Sequence, residues 1–258
     1  CNHQHSGGYL GGRYLSSKWD GMFAEYFKVP DVDLNVAKIP DGVSLEAAAL
    51  VGDMVTTGFH GVELADVKFG DRVCVIGIGP VGLMSVVGCV LRGAAEIYAV
   101  GHRPVTRELA MQYGATATID YQDGPIVEQV MKLTGGQQIE KVIIAGGEPT
   151  VFNDALALVK YTGTVANLAG HGRTELLLPI YTNESGFGFC AHKTVTGGLC
   201  PGGRRRIERL MGMVKAGRFE PEKLITHRFY GLDGIEEAFD LMKSKKPEVI
   251  KPIIYFDK

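Results

Sequence analysis

The sequence predicts an α/β protein: a doubly wound parallel sheet joined to a smaller, β-rich part. Three observations carry this. Short β-branched runs alternate with apolar helical patterns between residues 73 and 196. One of those runs breaks into Gly77-Ile78-Gly79-Pro80-Val81-Gly82 and continues as a helix. The composition, 45% hydrophobic and 22% charged over 258 residues, is that of an ordinary folded chain. Strands separated by helices of this length need right-handed crossovers, and such crossovers build parallel sheets.

In chain order, residues 1–20 are rich in Gly, Ser and His and read as loop. His3 and His5 could share one face of a strand. No third ligand lies near them, so they read as solvated loop histidines. Residues 21–29 and 36–39 read as short strands divided by a turn. Ser44 is placed to cap a helix from Leu45, with Asp53 and Thr56-Thr57-Gly58-Phe59-His60-Gly61 in its continuation. Strands follow at 73–76, 97–100, 117–119, 141–144, 164–168 and 194–196. Helices are expected at 81–91, 105–113, 126–133 and 151–159. The helix from Val81 is apolar almost all round, which predicts burial. Beyond Pro201-Gly202-Gly203 come a basic helix (204–215), a Pro-marked link, a helix (235–242) and a strand (249–256).

The formal charge of −2 gives no basic excess for nucleic acid. No apolar run reaches the length of a membrane span. The five cysteines (Cys1, Cys74, Cys89, Cys190, Cys200) form no Cys-x-x-Cys pair, which fits a reducing, cytoplasmic compartment. Cys74 and Cys89 lie in apolar runs and read as small buried hydrophobes. The chain starts at Cys1 without a methionine, in a segment resembling no targeting signal. The expectation is that an N-terminal part is missing.

The glycine turn carries chemistry. Gly77 allows a tight turn, Gly79 lets a pyrophosphate approach the backbone, and Gly82 lets helix and strand pack closely. The amides and positive end of the following helix then face phosphate. A sheet that binds NAD normally places an acid on the ribose hydroxyls about 20 residues further on. Here that strand ends in Gly101-His102-Arg103-Pro104. Loss of the carboxylate removes repulsion for a 2′-phosphate, and Arg103 can offer it paired donors. A hydrogen bond to a charged group contributes roughly 1.5–3 kcal/mol, on the order of 10- to 100-fold in affinity. The pattern therefore favours NADP. Tyr121, just after the third strand, could flank the adenine or the phosphate, or lie on the surface.

Asp53 with Thr56–Gly61, then Gly77–Gly82, Gly101-His102-Arg103-Pro104, Ala145-Gly146-Gly147 and Gly197-Gly198-Leu199-Cys200-Pro201-Gly202-Gly203, resemble the zinc- and NADP-dependent secondary-alcohol dehydrogenases. These belong to the medium-chain dehydrogenase superfamily. The similarity runs over essentially the whole chain. It implies a GroES-like catalytic domain, of which residues 1–56 are the end, and a Rossmann cofactor domain over 57–197. Residues 198–258 would return to the catalytic domain. The resemblance implies a homo-oligomer, tetrameric in the nearest relatives. It implies Asp53 as a catalytic zinc ligand, with Gly101, His102, Arg103 and Tyr121 around the adenosine phosphate. His102 replaces a more usual serine. Arg13 stands where a tryptophan is often found, and Ala169-Gly170 replaces a polar-aromatic pair, so the alcohol or ketone is not defined.

In that family zinc polarises the alcohol oxygen while the nicotinamide accepts hydride. The other ligands, a cysteine and a histidine-glutamate pair, come from a segment this chain does not contain. The expectation is a chain that binds NADP(H) but turns over weakly or not at all. Two alternatives stay open. One is a zinc-free NADPH-dependent quinone-type reductase, and the other a non-catalytic NADP-binding module. His60 lies about two helical turns beyond Asp53 and reads as a packed or cofactor-adjacent imidazole.

Overall fold

The computed structural model describes residues 21–29, 31–172, 174–176 and 192–256. Cys1, His3, His5, Arg13 and Cys190 lie outside the described residues. The chain divides into two compact units, residues 57–200 and residues 1–56 with 201–258.

The unit over 57–200 is a six-stranded sheet in the order β3-β2-β1-β4-β5-β6, with every pair parallel. The strands are β1 (Arg72–Ile76), β2 (Glu96–Val100), β3 (Ala117–Ile119), β4 (Ile139–Ile144), β5 (Val159–Asn167) and β6 (Thr194–Gly197). Strands covered on both faces read as continuous apolar runs, and Val73-Cys74-Val75-Ile76 is buried throughout. Cys74 and Ile76 join a core with Val130 and with Val151, Ala155, Leu156 and Leu158. Those residues come from the helices Ile126–Leu133 and Val151–Leu158. By the two-residue period of a strand, Val73 and Val75 face the opposite layer. Burial pushes the thiols of Cys74 and Cys89 above their ordinary range, so both are inert packing groups.

Two helices before and after β1 show why this unit uses glycine inside helices. They are Thr56–Leu64 and Pro80–Leu91. A Cβ on Gly58 would lie 2.6 Å from Cβ of Met84 and from the Val81 carbonyl. Ser85, fully buried, closes the seam by donating to the carbonyl of Gly58 at 3.0 Å. A Cβ on Gly88 would meet Val62 at 2.9 Å. The helix from Pro80 is buried from Gly82 to Cys89, as its all-round apolar sequence predicts. The strand β5 starts earlier than its pattern suggests. It follows the helix ending at Leu158 directly, and a left-handed Thr162 (φ 66°) interrupts its run.

In the other unit, Ser44 caps the helix Leu45–Leu50 by accepting the amide of Ala47 at 3.0 Å. A π-helical segment, Val51–Val55, carries the chain on without a break into the next helix. The strands predicted at 21–29 and 36–39 do not form; the described residues there are bends and coil, with a short helix at Val32–Asn35. Their alternation is real, but Phe23 and Tyr26 stay exposed (56% and 89%), and no described strand pairs with them. A strand needs a ladder partner to hold it. The link after Pro221 holds a strand that the pattern did not reveal. β7 (Ile225–Tyr230) pairs in parallel with β8 (Lys251–Tyr255), across the helix Gly234–Ser244. Glu46 ties this sheet to the helix Leu45–Leu50. It accepts from Arg228 at 2.7 and 3.1 Å and from the Tyr255 hydroxyl.

Candidate functional site

The glycine turn follows β1, where the order of strands reverses between β1 and β4. Ligands of open α/β sheets bind at this switch point, outside the carboxyl ends of the strands. Gly77 takes φ 92°, and a Cβ there would meet the amide nitrogen of Gly146 at 2.6 Å. The turns after β1 and β4 therefore abut backbone to backbone. Gly82 could not carry a Cβ either, since it would lie 2.0 Å from the Gly77 carbonyl oxygen. Gly79 is different: a Cβ there meets nothing within 4 Å. It is the N-cap of the helix Pro80–Leu91, with Pro80 in the first turn. The first amides of a helix lack intrahelical carbonyls, so this open face offers donors and a positive dipole end to an anion. Gly77 and Ile78 donate their amides to the Val100 carbonyl at 2.9 and 3.2 Å, which fixes the turn against the end of β2.

The second part of the site lies at the ends of β2 and β3. A Cβ on Gly101 would lie 2.4 Å from Cγ1 of Ile78, which is buried. Glycine here is thus required by packing as well as compatible with an extra phosphate. His102 places Nδ1 3.0 and 3.1 Å from the two carboxylate oxygens of Asp120. Asp120 also receives Arg107 at 3.0 Å and the amide of Gln122 at 2.9 Å. Its side chain is only 8% exposed. Burial alone would raise its pKa, but Gln122, His102 and Arg107 outweigh burial and hold the carboxyl below its ordinary value. Arg103 is the N-cap of the helix Pro104–Gln112. Burial lowers its guanidinium pKa, though the group stays charged. Tyr121 is exposed, with its ring 5.8 Å from that of His102.

The sequence singles out His102, Arg103 and Tyr121 but not Asp120, Arg107 or the Ile78–Gly101 contact, which lie beside them. An acid ending the strand next to β2 was the available signal for Asp120.

Asp53 lies in the other unit, exposed on the π-helical segment. His60 is packed and engages Glu63 of its own helix at 3.3 Å. Among the described residues, no three His, Cys, Asp or Glu side chains gather in a metal-binding group. A catalytic zinc takes three protein ligands, so the described residues do not by themselves fit one.

The sheet order and glycine turn define a dinucleotide-binding α/β protein. A model of the zinc-binding dehydrogenase family matches residues 80–215. The NADP-dependent isopropanol dehydrogenase of Thermoanaerobacter brockii is 52% identical over 252 residues, which are 98% of this chain and 71% of that protein. The NADP-dependent isopropanol dehydrogenase of Clostridium beijerinckii is 49% identical, over 97% of this chain and 71% of that protein. Among solved structures, zinc dependent alcohol dehydrogenase 2 from Streptococcus pneumonia, in apo form, superposes with a TM-score of 0.81. It is 28% identical, over 93% of this chain and 67% of that one. Alcohol dehydrogenase TADH from Thermus sp. ATN1 gives 0.79 at 26% identity, over 92% and 66%. The chain belongs to the zinc-binding dehydrogenase family.

Proposed function

We propose that this chain binds NADP(H) at the switch point and serves hydride transfer between NADP(H) and a small secondary alcohol or ketone. The observation that carries the proposal is the order Gly101-His102-Arg103 at the end of β2, beside the glycine turn and Tyr121. Val81 and Gly82 would take the pyrophosphate on the first free amides of the helix, with Gly77, Ile78, Gly79 and Pro80 shaping the turn that lets it approach. Arg103 would take the 2′-phosphate on its planar fork. A guanidinium already partly desolvated gains more from an anion than a fully hydrated one. His102 and Tyr121 would flank it. When bound, the nicotinamide supplies the hydride acceptor.

The names of the relatives support NADP as cofactor and zinc as metal. Asp53 would offer one carboxylate to that metal. Residues 57–197 would form the cofactor domain, with 1–56 and 198–258 contributing to the catalytic domain. Among the described residues no helix is long and apolar enough to cross a membrane; we read the protein as cytoplasmic and self-associating, with no nucleic-acid partner.

The test is to titrate NADPH and NADH onto the purified chain, then follow ketone-dependent NADPH oxidation with added zinc. Uptake of NADPH in preference to NADH, with slow or no ketone reduction, is expected. Robust turnover contradicts the weak-activity reading. Oxidation with a quinone but not a ketone, indifferent to zinc, favours a quinone-type reductase. Absence of NADPH uptake overturns the proposal.

A further inference from the structure

The rim after β2 and β3 holds an ion cluster in which one group faces two acceptors. We infer that binding of a 2′-phosphorylated nucleotide takes up a proton at Nε2 of His102, with Asp120 as the residue that positions the ring. The inference rests on the NADP reading above.

Asp120 sets the tautomer of His102. Buried, and supplied with donors by Gln122 and Arg107, its carboxyl stays ionised and can only accept. The contact with Nδ1 of His102 at 3.0 Å therefore has the ring nitrogen as donor. With Nδ1 carrying the hydrogen, Nε2 of a neutral ring holds a lone pair. The His102 side chain is 42% exposed, so a ligand can reach it. A phosphate dianion is also only an acceptor. Two acceptors cannot bond, so a neutral His102 gives the phosphate nothing. The imidazolium satisfies both sides at once, with Nδ1–H on Asp120 and Nε2–H on the phosphate. The proton comes from solvent on binding and returns to it on release.

The charged and titratable groups around the ring act in opposite directions. Asp120 at the end of β3 stabilises the imidazolium directly. Arg107, from the helix Pro104–Gln112, offsets part of that carboxylate charge. Arg103 at the N-cap of that helix and Tyr121 after β3 complete the set. The arriving dianion adds the negative charge that makes protonation favourable. A hydroxyl in place of the imidazole would donate at any pH, so His102→Ser is the matched control.

The test is calorimetric titration of NADP+ and NAD+ onto the full chain, in buffers of different ionisation enthalpy, between about pH 7 and about pH 9. This window lies above the phosphate's own titration near pH 6. For the wild type, proton uptake with NADP+ is expected, and affinity should fall on the order of tenfold across the window. NAD+ should bind without uptake and with a flat profile. His102→Ser should bind NADP+ without uptake and without the decline. Asp120→Asn, if folded by circular dichroism, should begin its decline at lower pH. Equal proton uptake and equal pH profiles for wild type and His102→Ser, with NADP+ still preferred over NAD+, overturn the inference alone. No preference for NADP+ at any pH overturns the cofactor reading and this inference with it.

Discussion

Gly101 and Ile78 occupy each other's space: a Cβ added to the glycine that follows β2 would lie 2.4 Å from Cγ1 of the isoleucine inside the turn after β1. The residue proposed to decide which ribose substituent is tolerated is thus coupled to the loop proposed to hold the pyrophosphate. Adding a side chain at the glycine without trimming the isoleucine strains both.

This coupling sets the first prediction. Gly101→Asp alone should destabilise the fold by about 1–3 kcal/mol, the usual cost of overpacking. Adding Ile78→Ala should recover part of that loss, because the pair share one space. The double variant should bind NADP+ at least about tenfold more weakly than the wild type, through repulsion of the 2′-phosphate. Thermal melts and nucleotide titrations of the two singles and the double give the cycle. Additive losses would contradict it.

The glycine turn separates folding from binding. Gly82→Ala places a Cβ against the Gly77 carbonyl and should cost several kcal/mol of stability. Gly79→Ala meets no protein atom within 4 Å, so its stability should change by no more than about 0.5 kcal/mol. It should nevertheless weaken nucleotide binding, since the new methyl stands where the pyrophosphate would approach the backbone. Denaturant melts and titrations of both variants decide this. Gly79→Ala with undiminished affinity would move the phosphate elsewhere.

Acid stability should reveal Asp120. Its folded pKa is depressed, so its contribution is full above the ordinary carboxyl value of about 3.9 and fades as pH falls through the folded value. Asp120→Asn should lower stability by about 1–3 kcal/mol near neutrality, by removing the charged acceptor shared by Gln122, His102 and Arg107. The gap in melting temperature between wild type and variant should stay level down to about pH 5 and narrow below about pH 4. A gap that widened in acid would contradict the ion cluster.

Much of this was legible in the sequence because the signals were local. The glycine turn, the alternation of strand and helix, the buried helix after Pro80 and the Ser44 cap each lie within one short stretch. The features that escaped are contacts between stretches. Asp120 reaches His102 across 18 positions and Arg107 across 13. Ile78 meets Gly101 only because β1 and β2 pair side by side. Residues 21–29 show the opposite failure. Their alternating pattern is clear, but a pattern supplies no hydrogen-bonding partner, and the described residues supply none either. β7 was hidden in a link marked by Pro221, because its half-exposed residues carry no apolar run.

Arg103 is the residue proposed to select NADP+ over NAD+. The most direct measurement is the ratio of NADP+ to NAD+ affinity for the wild type and for Arg103→Ala, on samples shown to be folded. A wild-type preference for NADP+ that falls by about 10- to 100-fold in the variant, with NAD+ affinity unchanged, is the predicted result. A wild-type chain that prefers NAD+, or a preference for NADP+ that survives the loss of the guanidinium, would contradict it.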